Sequence, residues 1–378
     1  MTLEQVRSYF PHLNTGNIYL NHAAVSPLSS FVIDKINNFL FGRSITDIDN
    51  FSKVGEIIEG TKERVAKLIK CDKDRLAFFD STTTGLNLLA QGINWQQGDK
   101  VLLTETEFPS NIYPFLNLRS KGVEAYYVRN KNAIVTADDI INAVKPDTRL
   151  IYVNAVQFLS GYRADLKRIG KYCRENEIIF CVEASQAVGA VQLNVHESCI
   201  DFLTCGSEKW LMGLRGLSFM YLTQELQNKF PEKFEGWSSF EDALSLIDFD
   251  LGVKKSAESL QSGTISVIGA TALSAALDLM ETFGLREAEN NIISNSRYFI
   301  NALAERGFNS PLLYEYDKNI AGIVSFYSSR AKEIYNILTG HNVSCSLREG
   351  FIRFSPHFYN SKSDIDKVIE TIDKELLQ

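Results

Sequence analysis

The chain has no apolar run approaching the roughly 18 residues of a membrane-spanning helix, so it holds no candidate for one. Its six cysteines, Cys71, Cys173, Cys181, Cys199, Cys205 and Cys345, include no C-x-x-C pair. That spacing excludes a zinc ribbon, and several lie in apolar, strand-like surroundings. They are expected to be buried thiols of a reducing cytoplasm rather than a disulfide frame. The five histidines, His12, His22, His196, His341 and His357, are scattered without metal-ligand spacing. No Pro/Ser/Gly-rich linker divides the chain, and no solenoid repeat is visible. Positive charge is not in excess: 39 Lys and Arg against 46 Asp and Glu leave a net charge of −7. Neither nucleic acid nor a membrane surface is therefore expected as a partner. Near the start stands Glu4, an acidic residue where a secretory signal needs a basic and then an apolar run.

What remains is an ordinary globular composition, 45% hydrophobic and 22% charged over 378 residues. At ~150 residues per domain this length predicts roughly two to three domains with a sizeable core. Helix-like and strand-like segments alternate from about Lys62. Thr83 to Ile93 and Leu166 to Glu177 carry helical spacing. Lys100 to Leu103, Thr148 to Ala155, Ile178 to Val182, Phe202 to Cys205 and Ser218 to Leu222 read as strands. Strands separated by helices predict an α/β fold with a parallel or mostly parallel sheet covered on both faces. After about Gly263 the pattern changes to long helices, Ile268 to Phe283 and Arg286 to Arg306. Short strands follow around Ile320 to Tyr327 and at Phe351 to Phe354, then an amphipathic segment from Lys362 to Leu377. These predict a smaller α+β domain. The division expected is an N-terminal segment 1–24, a large domain 25–264 and a small domain 265–378.

Ligands of an open α/β sheet bind at the carboxyl ends of its strands, so the residues that follow each strand carry the chemistry. After Phe78-Phe79 comes Asp80-Ser81-Thr82-Thr83-Thr84-Gly85 at a helix start. Hydroxyls and free N–H groups there suit a phosphate, and equally an ordinary cap. After Val182 comes Glu183-Ala184-Ser185-Gln186, a carboxylate placed to pair with a protonated ring nitrogen or to complement a helix start. After Cys205 comes Gly206-Ser207-Glu208-Lys209-Trp210. A lysine at that place suits covalent capture of an aldehyde, although a single lysine is by default a surface residue.

The order of these segments, with Glu107-Phe108-Pro109-Ser110-Asn111 between the first and second, resembles the class V aminotransferases. This group of pyridoxal-phosphate enzymes includes cysteine desulfurases, kynureninases and isopenicillin-epimerase-like proteins. The resemblance runs from Tyr19-Leu20-Asn21-His22-Ala23-Ala24 to Arg353-Phe354-Ser355-Pro356-His357-Phe358-Tyr359-Asn360. It implies the fold type I of pyridoxal-phosphate transferases, with a seven-stranded type of sheet in the cofactor domain. It further implies Lys209 as the Schiff-base lysine that also shuttles the α-proton, and Glu183 as partner of the pyridine nitrogen. Gln186 matches the residue that bonds the ring hydroxyl, and Phe108 the group stacked on the ring. Thr82, Thr83 and Ser207 match phosphate ligands. Gly263 and Thr264, in Ser262-Gly263-Thr264, resemble a loop that reaches a neighbouring chain's phosphate. A homodimer with shared active sites follows. Arg353 matches the substrate-carboxylate arginine, with Arg348 as second candidate. Asn21, Ala23, Ala24 and Gln157 are expected to line the pocket.

The sequence departs from the family in two places. Glu183 replaces the usual Asp, and Glu208 stands before Lys209 where relatives carry a His. Glu208 beside a phosphate is unfavourable unless it points away or pairs with a cation such as Arg215. The resemblance implies an enzyme acting on an α-amino acid. Cysteine desulfurase, other β-lyase and epimerase chemistries are alternatives within it. A non-catalytic cofactor-binding relative is an alternative of another class. A desulfurase needs a mobile thiolate, and Cys345 is the only cysteine of the C-terminal domain.

Overall fold

The computed structural model describes residues 1–230, 235–242, 245, 247 and 250–376. Its centre is a sheet of seven strands. They are β1 (Leu76–Phe79), β2 (Lys100–Thr104), β3 (Glu124–Val128), β4 (Thr148–Asn154), β5 (Ile179–Glu183), β6 (Phe202–Gly206) and β7 (Ser218–Leu222). Across the sheet the order is β1-β7-β6-β5-β4-β2-β3. All neighbours run parallel except β7, which is antiparallel to both β1 and β6. The fold is thus α/β with a mostly parallel sheet, as the alternation of strands and helices predicts.

Successive side chains of a strand point to opposite faces, and here both faces are covered. Ile151, Val153, Phe180, Val182 and Leu203 enter one apolar core. Leu150, Tyr152, Ile179, Cys181 and Phe202 enter another on the other side. Burial on both faces explains why these strands read as continuous apolar runs. The strand order reverses direction between β2 and β4. At such a switch point the loops leave to opposite sides and open a crevice at the carboxyl edge.

Helices Ser30–Ile45 and Phe51–Ile69 pack on Val267–Phe283. At Gly284 the chain turns by 81° into Leu285–Ala304. Among the described residues no single helix is long and apolar enough to cross a membrane. The C-terminal unit has three strands, β8 (Val324–Tyr327), β9 (Ser346–Arg348) and β10 (Phe351–Phe354), in the antiparallel order β9-β10-β8. Its core is closed by helices Leu285–Ala304, Ala331–Gly340 and Lys362–Leu376. The strand expected around Ile320 to Tyr327 is shorter, because Ile320 leaves the sheet to bridge Tyr162. The amino-terminal segment is stitched to this unit: Ile18 and Tyr19 pair with Val343 and Ser344, and Asn21 bridges Ser355.

Candidate active site

The parallel register sets Asn154 beside Glu183, and Glu183 beside Thr204. The carboxyl ends of β4, β5 and β6 therefore meet at one edge. Glu183 is buried, and its Oε1 accepts from the Ser185 N–H at 2.9 Å. Burial pushes its pKa above the ordinary carboxyl value, opposed by the positive charge of Lys209 and by Ser185. Lys209 follows β6 and is half-buried. Its charge acts on Glu183 and on Cys205.

Trp210, fully buried, anchors the segment. Its indole N–H donates to Gln186 Oε1 at 2.8 Å, and its carbonyl bonds His357 Nε2 at 3.0 Å. It fits only because Gly322 lacks a side chain: a Cβ there would lie 1.9 Å from Trp210 Cη2. Gln186 Nε2 donates to the Ala23 carbonyl at 2.9 Å, which leaves its second N–H for a ligand.

At the helix start after β1, Ser81 caps Thr82–Gly92 by accepting from the Thr84 N–H at 3.2 Å. Thr82 and Thr83 then stand in the first turn, half-buried, their N–H groups free of intrahelical bonds. Neither hydroxyl has a partner among the described residues. Ser207 differs from expectation. It is fully buried, and its hydroxyl donates to the Leu214 carbonyl at 2.7 Å. Its proton is spent on closing the 207–214 loop, so it has none for a phosphate oxygen. Glu208 makes no ion pair among the described residues. Arg215 is exposed and does not reach it, so the compensating pair does not form. The negative charge of Glu208 instead acts on Glu183.

Phe108 precedes the helix Pro109–Leu116 without a side-chain capping bond and is 53% exposed, an aromatic face without a stacking partner among the described residues. Its edge meets Phe158 at 6.1 Å between centroids. The Phe158 carbonyl accepts from Arg353 Nη1 at 2.8 Å. Arg353 is only 3% exposed, yet no carboxylate pairs with it among the described residues, and its buried Nε has no partner. Burial, with repulsion from Arg348, lowers its pKa to about 10. Arg348 is exposed. Gln157 departs from the pocket-lining expectation: both ends of its amide bond the Val135 backbone, at 3.1 and 2.6 Å. Asn21 accepts from the Ser346 hydroxyl at 2.5 Å, and Ala24 is half-buried. Gly263 and Thr264 border a different cleft of about 520 Å³, with Phe39, Ile48, Phe51 and Trp237.

Sequence reasoning missed a polar cluster behind Phe108. Glu107 accepts from Thr104, from Asn111 Nδ2 at 3.1 Å and from Asn154 Nδ2 at 2.5 Å. Desolvation, with Glu183 nearby, pushes its pKa to about 8. The strand-end rule that selects Glu183 also selects Asn154, one strand away.

A half-buried amine, a buried carboxyl beside it, an unpartnered hydroxylated helix start and an unpaired buried guanidinium suit a phosphorylated aldehyde cofactor and a carboxylate substrate. Residues 18–368 match the aminotransferase class-V family. The chain belongs to that family.

The whole chain takes part in the likeness. It is 26% identical to an uncharacterized aminotransferase, YcbU, of Bacillus subtilis over 372 residues, covering 98% of this chain and 97% of that one. It is 24% identical to a probable cysteine desulfurase of Methanothermobacter thermautotrophicus, covering 99% and 98%. In structure it resembles the apo cysteine desulfurase of Thermococcus onnurineus, with a TM-score of 0.86 at 23% identity over 98% and 97% of the two chains. A cystine C–S lyase in complex with its product cysteine persulfide also gives 0.86, at 20% identity over 97% and 99%. The two structural likenesses carry the fold. The class-V chain described here is a pyridoxal-phosphate-dependent enzyme.

Proposed function

We propose that this class-V enzyme acts at Cα of a small α-amino acid whose carboxylate is held by Arg353. The observation that carries the reading is the guanidinium itself. A cation this buried is costly without an anion, and none of the described residues supplies one. It joins the Lys209 region through a continuous path: Phe158, Phe108, the adjacent Glu107 and Asn154, then Glu183.

Pyridoxal phosphate supplies an aldehyde for Lys209 and a ring that draws electrons from Cα. Thr82 and Thr83 would hold the phosphate through hydroxyls and helix-start N–H groups. Phe108 would stack on the ring, Gln186 would offer its second N–H to the ring hydroxyl, and Glu183 would keep a proton on the ring nitrogen. Lys209 Nζ takes the proton from Cα. Asn21 and Ala24 wall the substrate side. Gln157 acts at one remove, by fixing Val135.

Cys345 does not fit the thiolate of a desulfurase. It is 4% exposed in the C-terminal core, and burial pushes its pKa up to about 12. Of the six cysteines none is exposed. Cys199, one of two half-buried ones, lies at the amino end of β6, away from Lys209. Transfer, β-elimination and epimerisation share loss of the α-proton and need no protein thiol; cysteine desulfurase, the name several relatives carry, stands beside them as the alternative.

The protein acts in the cytoplasm as a homodimer with shared sites, Gly263 and Thr264 meeting the neighbour's phosphate. Its large domain spans 25–264 and its small domain 265–378, with 1–24 as a separate N-terminal segment. The test is borohydride reduction after incubation with pyridoxal phosphate. The expected result is one added cofactor mass on the peptide containing Lys209, absent in Lys209→Ala. Absence of any uptake overturns the reading. Uptake without spectral change across an amino-acid panel supports a non-catalytic binder instead.

A further inference from the structure

The hairpin that carries Arg353 presents a second cation to the same face. Glu349 and Gly350 join β9 to β10, with φ of 46° and 79°. Two positive φ values in a two-residue loop match the strand twist and lock the register. A side chain at Gly350 is strained by the positive φ, and its Cβ would lie 2.7 Å from the Tyr327 ring. The register pairs Arg348 with Phe351, and Ser346 with Arg353. Across β10, Ser325 lies opposite Arg353, and Tyr327 opposite Phe351.

Paired residues and those two positions away share a face. Arg348 and Arg353 are therefore diagonal neighbours on one face. The opposite face, with Val324, Phe326, Ile352 and Phe354, fills the C-terminal core. Diagonal Cβ atoms lie about 7–8 Å apart, near enough that the charge of Arg348 is felt at Arg353. Two like charges share this face, and neither has a carboxylate partner among the described residues. Arg348 donates to the carbonyl of its neighbour Leu347 at 3.0 Å. Beneath Arg353, Ser325 is fully buried and its hydroxyl also lacks a partner. Phe351, opposite Arg348, and Tyr327 beyond it, edge to face at 5.5 Å, continue this face with apolar surface.

We propose that Arg353 and Arg348 form a two-point anion site, so that the substrate is a dicarboxylic amino acid. This rests on the function proposed above. Its α-carboxylate sits on Arg353 and its side-chain carboxylate on Arg348, with the intervening methylenes against Phe351 and Tyr327. Two anions offset the mutual repulsion of the guanidinia; a neutral side chain offsets only one of them. The step is binding alone and consumes no co-reactant.

Calorimetric titration of the holoenzyme with L-glutamate against L-glutamine, and L-aspartate against L-asparagine, tests this. Each pair is nearly isosteric and differs in one charge. The expected result is binding of the acid at least about tenfold tighter than its amide. Arg348→Met lowers the acid to the level of the amide, and Arg353→Met weakens both. Equal affinity for acid and amide in the wild type overturns the inference, as does Arg348→Met weakening both alike. Arg353-dependent binding of neutral amino acids only overturns the inference and leaves the enzyme reading standing. Failure of every amino acid to bind overturns the reading on which it rests.

Discussion

Replacing Arg353 by Met should leave the cofactor-free protein at least as stable as the wild type while abolishing carboxylate binding. The guanidinium is buried, and its pKa falls from the ordinary arginine value to about 10 through desolvation first and Arg348 second. At about 1.36 kcal/mol per pH unit, that step corresponds to about 3 kcal/mol. The sign follows from linkage. A cation whose folded pKa lies below its unfolded one costs stability at every pH below about 10, and the cost fades as pH rises from there towards the ordinary arginine value. Against this, the variant loses the charge-assisted bond to the Phe158 carbonyl, about 1.5–3 kcal/mol. The apolar stem is kept. The two nearly cancel, so the balance lies between no change and a small gain. Urea unfolding of both apo proteins at pH 7.5, with unchanged slope, reads it directly. A loss of about 3–5 kcal/mol, as for breaking a buried ion pair, would refute the reasoning. It would mean that the guanidinium is satisfied within the fold and awaits no substrate.

Three further outcomes are expected. Glu107 keeps its proton to about pH 8 when folded but loses it near 4.5 when unfolded, so its contribution makes stability fall as pH rises between those values. Glu107→Gln should flatten that fall in unfolding midpoints measured from pH 5 to 8; an unchanged slope contradicts the assignment. Cys345→Ala should react with amino acids within about twofold of the wild-type rate, since a buried neutral thiol is no nucleophile. Collapse of sulfide release from cysteine in that variant would restore a desulfurase reading. Gly322→Ala forces a methyl into Trp210 and should cost about 1–3 kcal/mol or more. Because Trp210 holds the residue next to it, the same variant should take up pyridoxal phosphate less tightly. Full stability with intact uptake would show that Trp210 has room to move.

The strand-end residues were legible because their positions follow from local pattern. A run such as Ile-Ile-Phe-Cys-Val admits one end, and Glu183 is what comes after it. The helix start at Thr82 and the strand ahead of Lys209 follow the same logic. Ser207 was misread, since its bond to Leu214 depends on how the next seven residues fold back. Gln157 was misread for a similar reason: its partner Val135 is 22 positions away and belongs to another loop. The cluster of Glu107, Asn111 and Asn154 was invisible, because no spacing rule joins residues brought together only by parallel pairing and strand order.

The sequence by itself determined the class of fold, the order of its strands and helices along the chain, and which side chains end up at strand termini. These follow from periodicity and turn chemistry, which act over a few residues. Only the tertiary structure decided which polar groups are left without partners. Arg353 and Cys345 lie eight positions apart in one segment. One is a buried cation with no carboxylate partner among the described residues, and the other a buried thiol in the C-terminal core. Hairpin register places them on opposite faces, and burial then raises the pKa of the thiol and lowers that of the guanidinium.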